Sequence, residues 1–121
     1  MLDRDHIQLK SMIRDSGVDL LVNDARIIQK KGRQLQLAGV DNWSWSYRYA
    51  DFDKTLKDLR GSHPTILMCH DPKNWEREVR GRRKVDLMLA GHTHGGQVGI
   101  ELFGKYHSPV EIAYKYIGGL Y

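Results

Sequence analysis

Two short apolar runs separated by a helical segment constrain the fold of this chain more than any other feature of its sequence. The runs occupy residues 65–69 and 85–90, and the segment between them, 72–81, has a proline at its start and a glycine at its end. Continuous apolar runs are typical of strands buried in a parallel sheet, and parallel neighbours need a crossover, usually a helix. The pattern therefore predicts a βαβ unit and an α/β fold.

The remainder of the chain reads as further helices and strands, with no internal repeat and no clear linker. The predicted elements are a helix at 3–17, a strand at 18–23, a hairpin with arms at 26–29 and 34–40, an amphipathic helix at 51–60, and two late strands within 97–104 and 108–116. Asp51 is available as the N-cap of the 51–60 helix. We expect residues 1–121 to form one domain.

The composition is that of an ordinary globular chain. It has 121 residues, 40% hydrophobic and 28% charged, and a net charge of +4. No apolar run approaches the roughly 20 residues of a membrane span, and the first residues lack a signal-peptide core, so we expect a cytoplasmic protein or one peripheral to a membrane. The charge predicts a solvated basic surface, and no firm membrane or nucleic-acid partner.

Both strands of the predicted βαβ unit run into histidine. The first ends in His70, and the second continues through Gly91 into His92 and His94. The carboxyl ends of parallel strands meet at one edge of a sheet, and residues two apart in an extended segment point to the same side. Neutral imidazole is a common metal ligand. Taken singly each histidine is ordinary, but together they predict three imidazoles that converge on a divalent metal.

These residues also resemble a known family. The segment "ILMCHDP" (66–72) followed by "VDLMLAGHTHGGQV" (85–98) resembles the C-terminal half of the calcineurin-like metallophosphoesterases. The match is to the bacterial branch that reads Gly-His-Thr-His-Gly-Gly-Gln, and "LAGVDN" (37–42) is similar to a strand of that branch. The resemblance extends loosely over nearly the whole chain.

The resemblance implies a fold and a reaction. The family's fold is a four-layer α-β-β-α sandwich, of which this chain would be a part, truncated at the N-terminus and at the C-terminus. His70 and His92 would bind one metal and His94 a second, with manganese, iron, zinc or nickel as the metals. Family members hydrolyse phosphomonoesters or phosphodiesters with metal-activated water. Asp71 would orient an imidazole, although an aspartate that satisfies the turn before Pro72 fits equally well.

Several motifs of the family do not occur in these residues. They are an Asp-x-His, a Gly-Asp-x-x-Asp and a Gly-Asn-His followed by Asp or Glu. Neutral imidazoles cancel none of the charge of two divalent cations, and the bridging carboxylate is among the missing groups. We therefore expect one metal or none, and weak or no activity, in the isolated chain. Its partners would be a phosphate-ester substrate and either the missing N-terminal half or a second copy, bound through an exposed apolar face.

The aromatic segment "DNWSWSYRY" (41–49) has two interpretations. Trp43 and Trp45 are candidates for a wall against which the substrate packs. The segment is also consistent with a loop anchored by its aromatic side chains, or with a surface that the missing half covers.

Two further functions stay open. One is a non-catalytic metal-binding or interaction module that keeps the scaffold without turnover. The other is a basic nucleic-acid-binding domain, since residues 77–84 carry five positive charges. A solvated helix end explains those charges as well, and a steep salt dependence of DNA binding would distinguish the two.

Overall fold

The computed structural model describes residues 2–42 and 49–121, with side chains described from residue 5 onward. The α-helices and strands of this part, in chain order, are α1 (Leu2–Asp15), β1 (Asp24–Lys30), β2 (Arg33–Gly39), α2 (Phe52–Leu56), β3 (Thr65–Met68), β4 (Leu87–Leu89), β5 (Ile100–Leu102), β6 (Lys105–His107) and α3 (Val110–Ala113). A π-helical turn covers Trp75–Val79, and a 3-10 turn covers His94–Gly96.

A four-stranded mixed sheet forms the centre of the fold, in the order β1-β2-β3-β4. β1 and β2 are antiparallel, whereas β2, β3 and β4 run parallel. The π-helical turn lies in the connection between β3 and β4, so the predicted βαβ unit and the α/β class are confirmed. β5 and β6 form a separate antiparallel pair.

The predicted first hairpin is also confirmed, and its turn explains its register. Lys30 pairs with Arg33, which leaves two residues in the loop. Lys31 and Gly32 both have positive φ, 49° and 73°. Positive φ at both central residues is what a type I′ turn requires, and the twist of that turn matches the twist of paired strands.

One face of the four-stranded sheet carries the core. Ala38 on β2 and Leu67 on β3 are fully buried there. Phe52 of α2, Val79 of the π-helical turn and Cys69 complete the buried cluster. The side chain of Asp51 accepts a hydrogen bond of 2.8 Å from the backbone of Lys54, which confirms its role as the cap of α2.

The opposite face of the sheet is apolar, and its part on β3 and β4 is exposed to solvent; we call it the open face. Its members are aligned by register and by alternation along the strands; they are Leu37, Ile66, Met68, Leu87 and Leu89. Met68, Leu87 and Leu89 are 37%, 38% and 51% exposed. This sheet therefore buries one apolar face and leaves a second one accessible.

The predicted strand at 18–23 is wrong. The chain there lies over β2 instead of pairing beside it: a Cβ added at Gly39 would stand 2.7 Å from the Cβ of Leu21. Leu21 of this segment packs onto the sheet, and glycine at position 39 permits the close approach.

The predicted strand at 108–116 is also wrong, although β5 and β6 do form a hairpin just before it. Pro109, with φ of −55°, caps the short helix α3. Proline fixes φ near the helical value, which favours a helix start over a central strand. Within the described residues, every helix is too short or too polar to cross a lipid bilayer.

Candidate functional site

The candidate site lies where β3 and β4 end. Backbone pairing continues past both strands, because the Cys69 amide donates to the Leu89 carbonyl at 3.0 Å and the Gly91 amide donates to the His70 carbonyl at 3.0 Å. These two bonds hold the segments after the strands side by side. The residue after Gly91 is His92, so the extended pairing brings His92 next to His70.

The rings of His70 and His92 are in direct contact. His70 Nε2 lies 3.1 Å from His92 Nδ1, and the ring planes are inclined at 74° with centroids 4.9 Å apart. Both residues are exposed to solvent. Two ring nitrogens at this separation share a proton in a hydrogen bond or direct two lone pairs at one cation, and which of these holds depends on protonation.

His94 does not join this pair. Its Nδ1 lies 3.3 Å from Oε1 of Gln97. His92 and His94 have φ of 65° and 52°, so the segment is left-handed, and the extended backbone on which their common direction was predicted is wrong. Among residues 2–42 and 49–121, no group of three or more histidine, cysteine, aspartate or glutamate side chains is placed to hold a metal. The three-histidine ligand set stays a prediction.

The loop that carries these histidines is braced by residues that follow it. Thr93 is buried, and its hydroxyl donates to the Ile117 carbonyl at 2.5 Å. The Tyr106 hydroxyl donates to the Gly96 carbonyl at 2.5 Å, and Ser108 donates to Val98 at 2.7 Å. Non-glycine residues with left-handed φ are strained by about 1–2 kcal/mol each and persist where the surroundings hold them. The brace supplies that restraint.

Asp71 is buried next to the pair. Its carboxylate accepts a hydrogen bond of 2.9 Å from the backbone of Lys73, and its own carbonyl accepts one of 3.2 Å from Asn74. This is the turn-satisfying role that the sequence allows. A role in orienting an imidazole stays a prediction.

Tyr114 and Lys73 complete the surroundings of the pair, and sequence reasoning missed both. The Tyr114 ring contacts the His92 ring with centroids 5.4 Å apart, and Lys73 Nζ lies 3.9 Å from the Tyr114 centroid. Partial burial, and then the negative charge of Asp71, raises the pKa of the Tyr114 phenol. No motif marks these positions, because Tyr114 reaches the site only from the C-terminal end of α3.

The C-terminal segment is fastened to the π-helical turn by Glu76. Glu76 Oε1 accepts hydrogen bonds from the Tyr116 hydroxyl, from Lys115 Nζ at 3.1 Å and from Arg80 at 2.9 Å. These donors, Tyr116 first and Lys115 next, lower the pKa of the Glu76 carboxyl to about 2. Trp43 and Trp45, the predicted substrate wall, lie outside the described residues.

Several proteins with related sequences are named as phosphoesterases. An Escherichia coli protein named phosphodiesterase YaeI is 31% identical over 119 residues, which are 98% of this chain and 40% of that protein. An uncharacterized metallophosphoesterase of Helicobacter pylori is 42% identical over 71 residues, 59% of this chain and 18% of that protein.

The chain belongs to the metallophosphoesterase family. A third member, named transmembrane protein with metallophosphoesterase domain, from Bos taurus, is 37% identical over 67 residues, 51% of this chain and 15% of that protein. This metallophosphoesterase chain thus spans less than half the length of each of these three relatives. No protein-family model matches it, and no solved structure matches it significantly.

Proposed function

We propose that this chain is the C-terminal portion of a divalent-metal-dependent phosphohydrolase that cleaves phosphomonoesters or phosphodiesters. The observation that carries the proposal is the contact between His70 Nε2 and His92 Nδ1 at 3.1 Å, at the exposed carboxyl ends of two parallel strands. In this proposal residues 1–121 are one partial domain of a four-layer sandwich.

The donor set fits a metal. Two imidazole nitrogens bound to one zinc ion at about 2.0–2.1 Å lie roughly 2.9–3.4 Å apart, depending on the angle at the metal. The separation of 3.1 Å in the His70–His92 pair falls within that interval. In the proposed site these two residues hold one metal, and His94, directed away from them toward Gln97, holds the second. The imidazoles suit manganese, iron, zinc and nickel.

The chemistry divides between the metals and the chain. When bound, divalent metals activate a water molecule for attack on phosphorus and offset the charge of the phosphate oxygens. The chain's own residues supply neutral nitrogen ligands, keep the loop rigid through Thr93, and leave the pair open to substrate. Among residues 2–42 and 49–121 no carboxylate joins these histidines in a metal-binding group, so the isolated chain should turn over slowly or not at all.

Metal titration tests the ligand assignment. Replacing His70 or His92 with alanine should weaken zinc binding about tenfold or more, measured by competition with a chromophoric chelator. His107 lies in β6 next to Glu111, and His107→Ala should bind zinc as the wild type does. His94→Ala should leave zinc binding at the His70–His92 pair unchanged, because His94 is assigned to the second metal. Equal zinc affinities for wild type, His70→Ala and His92→Ala would contradict the proposal.

Activity measurements test the reaction. Hydrolysis of an aryl phosphodiester should be weak with the chain alone and should rise when the N-terminal portion of a full-length metallophosphoesterase is supplied. Metal binding without hydrolysis in the completed protein would favour a non-catalytic module. Robust turnover by the chain alone would show that the missing motifs are not needed.

The open face supports the proposal that another polypeptide segment packs against this side of the sheet. Its exposed side chains include Met68, Leu87 and Leu89. A sheet gains stability when it buries each apolar face, and the N-terminal portion is the occupant that the proposal assigns. Without it, we expect concentration-dependent self-association, measured by sedimentation velocity. Leu89→Lys should reduce it, while Ile112→Lys, at an exposed position of α3, should not.

A further inference from the structure

Lys73 is a cation that stands one aromatic ring away from the histidine pair. Its ammonium lies 3.9 Å above the centre of the Tyr114 ring, and that ring contacts His92 with centroids 5.4 Å apart. The contact with the ring face restrains the ammonium, because a cation is attracted to the negative face of an aromatic ring. Lys73 and His92 therefore contact the same tyrosine.

The ammonium of Lys73 has no carboxylate partner among the described residues. The nearby carboxylate of Asp71 is engaged by the backbone amide of Lys73 itself, at 2.9 Å. Lysine has three N–H donors, and the face of one ring does not use them all. Donors remain for an anion that enters from solvent.

A second lysine shows what a purely structural arrangement looks like. Lys115 Nζ lies 5.1 Å from the Tyr116 ring centre, and it also forms an ion pair of 3.1 Å with Glu76. Its charge is satisfied within the chain. Each lysine lies near a tyrosine ring of its own, and the two differ in whether the ammonium already has a carboxylate partner.

We propose that Lys73 binds a phosphate oxygen of the ester at this site, with Tyr114 holding the ammonium in place. Hydrogen bonds from ammonium to phosphate oxygen are charge-assisted and stronger than neutral ones. Lysine acts there as a compact point charge, which suits a phosphate group that approaches the metal ligands. This inference rests on the proposed function, because it places the phosphate between Lys73 and the His70–His92 pair.

The test is the binding of inorganic phosphate to the zinc-loaded chain, followed by phosphorus NMR. Lys73→Met keeps the length of the side chain and loses the charge, so affinity should fall about tenfold or more. Lys73→Arg should recover most of that loss. Lys115→Met is the matched control, and it should leave phosphate affinity unchanged.

A second set of variants separates the ring from the charge. Tyr114→Phe keeps the ring and should bind phosphate as the wild type does. Tyr114→Leu should bind as weakly as Lys73→Met, and the double variant should be no weaker than either, because the two residues act as one unit.

Zinc affinity, measured on the same proteins, distinguishes the two proposals. Normal zinc binding combined with equal phosphate affinity in wild type and Lys73→Met would overturn the role of Lys73 and leave the proposed function standing. A wild-type chain that binds neither zinc nor phosphate would overturn both. Equal losses in Lys73→Met and Lys115→Met would show a general effect of charge and would also overturn the role of Lys73.

Discussion

The core beneath the sheet and the histidine loop, residues 91–97, hold their shape by different means. The core consists of apolar side chains with little or no exposure, such as Ala38, Leu67 and Val79. The histidine loop is largely exposed, has left-handed residues, and is held by hydrogen bonds from later parts of the chain. The fold and the candidate site are therefore separable: the fold depends on apolar packing, and the site depends on a few polar contacts.

The largest effect is expected in the core. Leu67→Ala removes a fully buried side chain and leaves a cavity, so the free energy of unfolding should fall by about 2–5 kcal/mol in urea titrations. Met68→Ala, at a 37% exposed position of the neighbouring open face, is the control and should cost much less. Equal losses of unfolding free energy in the two variants would show that the buried face and the open face contribute alike to stability.

Substitution of Gly96 probes the brace of the histidine loop. Gly96 has φ of +68°, and an added Cβ would lie 3.1 Å from the Ser108 side chain and 3.2 Å from Ile117. Gly96→Ala should therefore destabilise the chain by about 1–2 kcal/mol for the backbone alone and more for the crowding, seen as a lower Tm.

Gly95→Ala is the matched control for the same loop. Gly95 has φ of +64°, and an added Cβ meets no atom within 4 Å. It carries the backbone strain without the crowding, and so it should cost less than Gly96→Ala. A larger loss of stability in Gly95→Ala than in Gly96→Ala would show that crowding against the brace does not determine the stability of the loop.

Substitution of Thr93 should affect zinc binding at the site more than it affects the fold. Thr93→Val keeps the shape of the side chain and removes the hydroxyl that donates to Ile117. Stability should fall by about 1–2 kcal/mol, and zinc affinity should fall with it. Thr93→Ser keeps the hydroxyl and should restore zinc binding. A loss of stability in Thr93→Val with unchanged zinc affinity would assign Thr93 to the fold alone.

The sequence predicted the sheet better than the site, for a physical reason. Strands β3 and β4 follow from apolar runs, and the β1–β2 hairpin follows from alternation around Lys31-Gly32, which are local patterns. Tyr114, which contacts His92, comes from the end of α3, and Lys73, which contacts Tyr114, comes from the segment before the π-helical turn. Their approach depends on turns whose geometry no periodicity encodes.

The direction of His94 could not be predicted from spacing alone. Residues two apart share a side only in extended backbone, and His92 and His94 are left-handed. Glycines at 95 and 96 signalled unusual backbone, but the same signal fits several turn types. The contact of His70 with His92 needed only the parallel pairing, so that half of the expectation agrees with the structure.

The smallest effect is expected from Glu76, which ties the C-terminal segment to the π-helical turn at the surface. The pKa of its carboxyl is lowered from the ordinary 4.5 to about 2, so the folded state favours the charged form. The stabilisation is present above about pH 4.5 and is lost as the pH falls through 2. NMR signals of Tyr116 should shift over this range, and Glu76→Gln should abolish the shift. If the pH profile of the Tyr116 signals were unchanged in Glu76→Gln, Glu76 would not be the group that holds the C-terminal segment.

The order of strand pairing has a consequence for how the chain acquires its site. The β1–β2 hairpin joins neighbours such as Lys30 and Arg33, whereas β3 must find β4 across an intervening helical turn. Local pairings generally form before distant ones, because closing a longer loop costs more chain entropy. The encounter of His70 with His92 should therefore follow the hairpin in folding, and capture of a metal would report that β3 and β4 have paired.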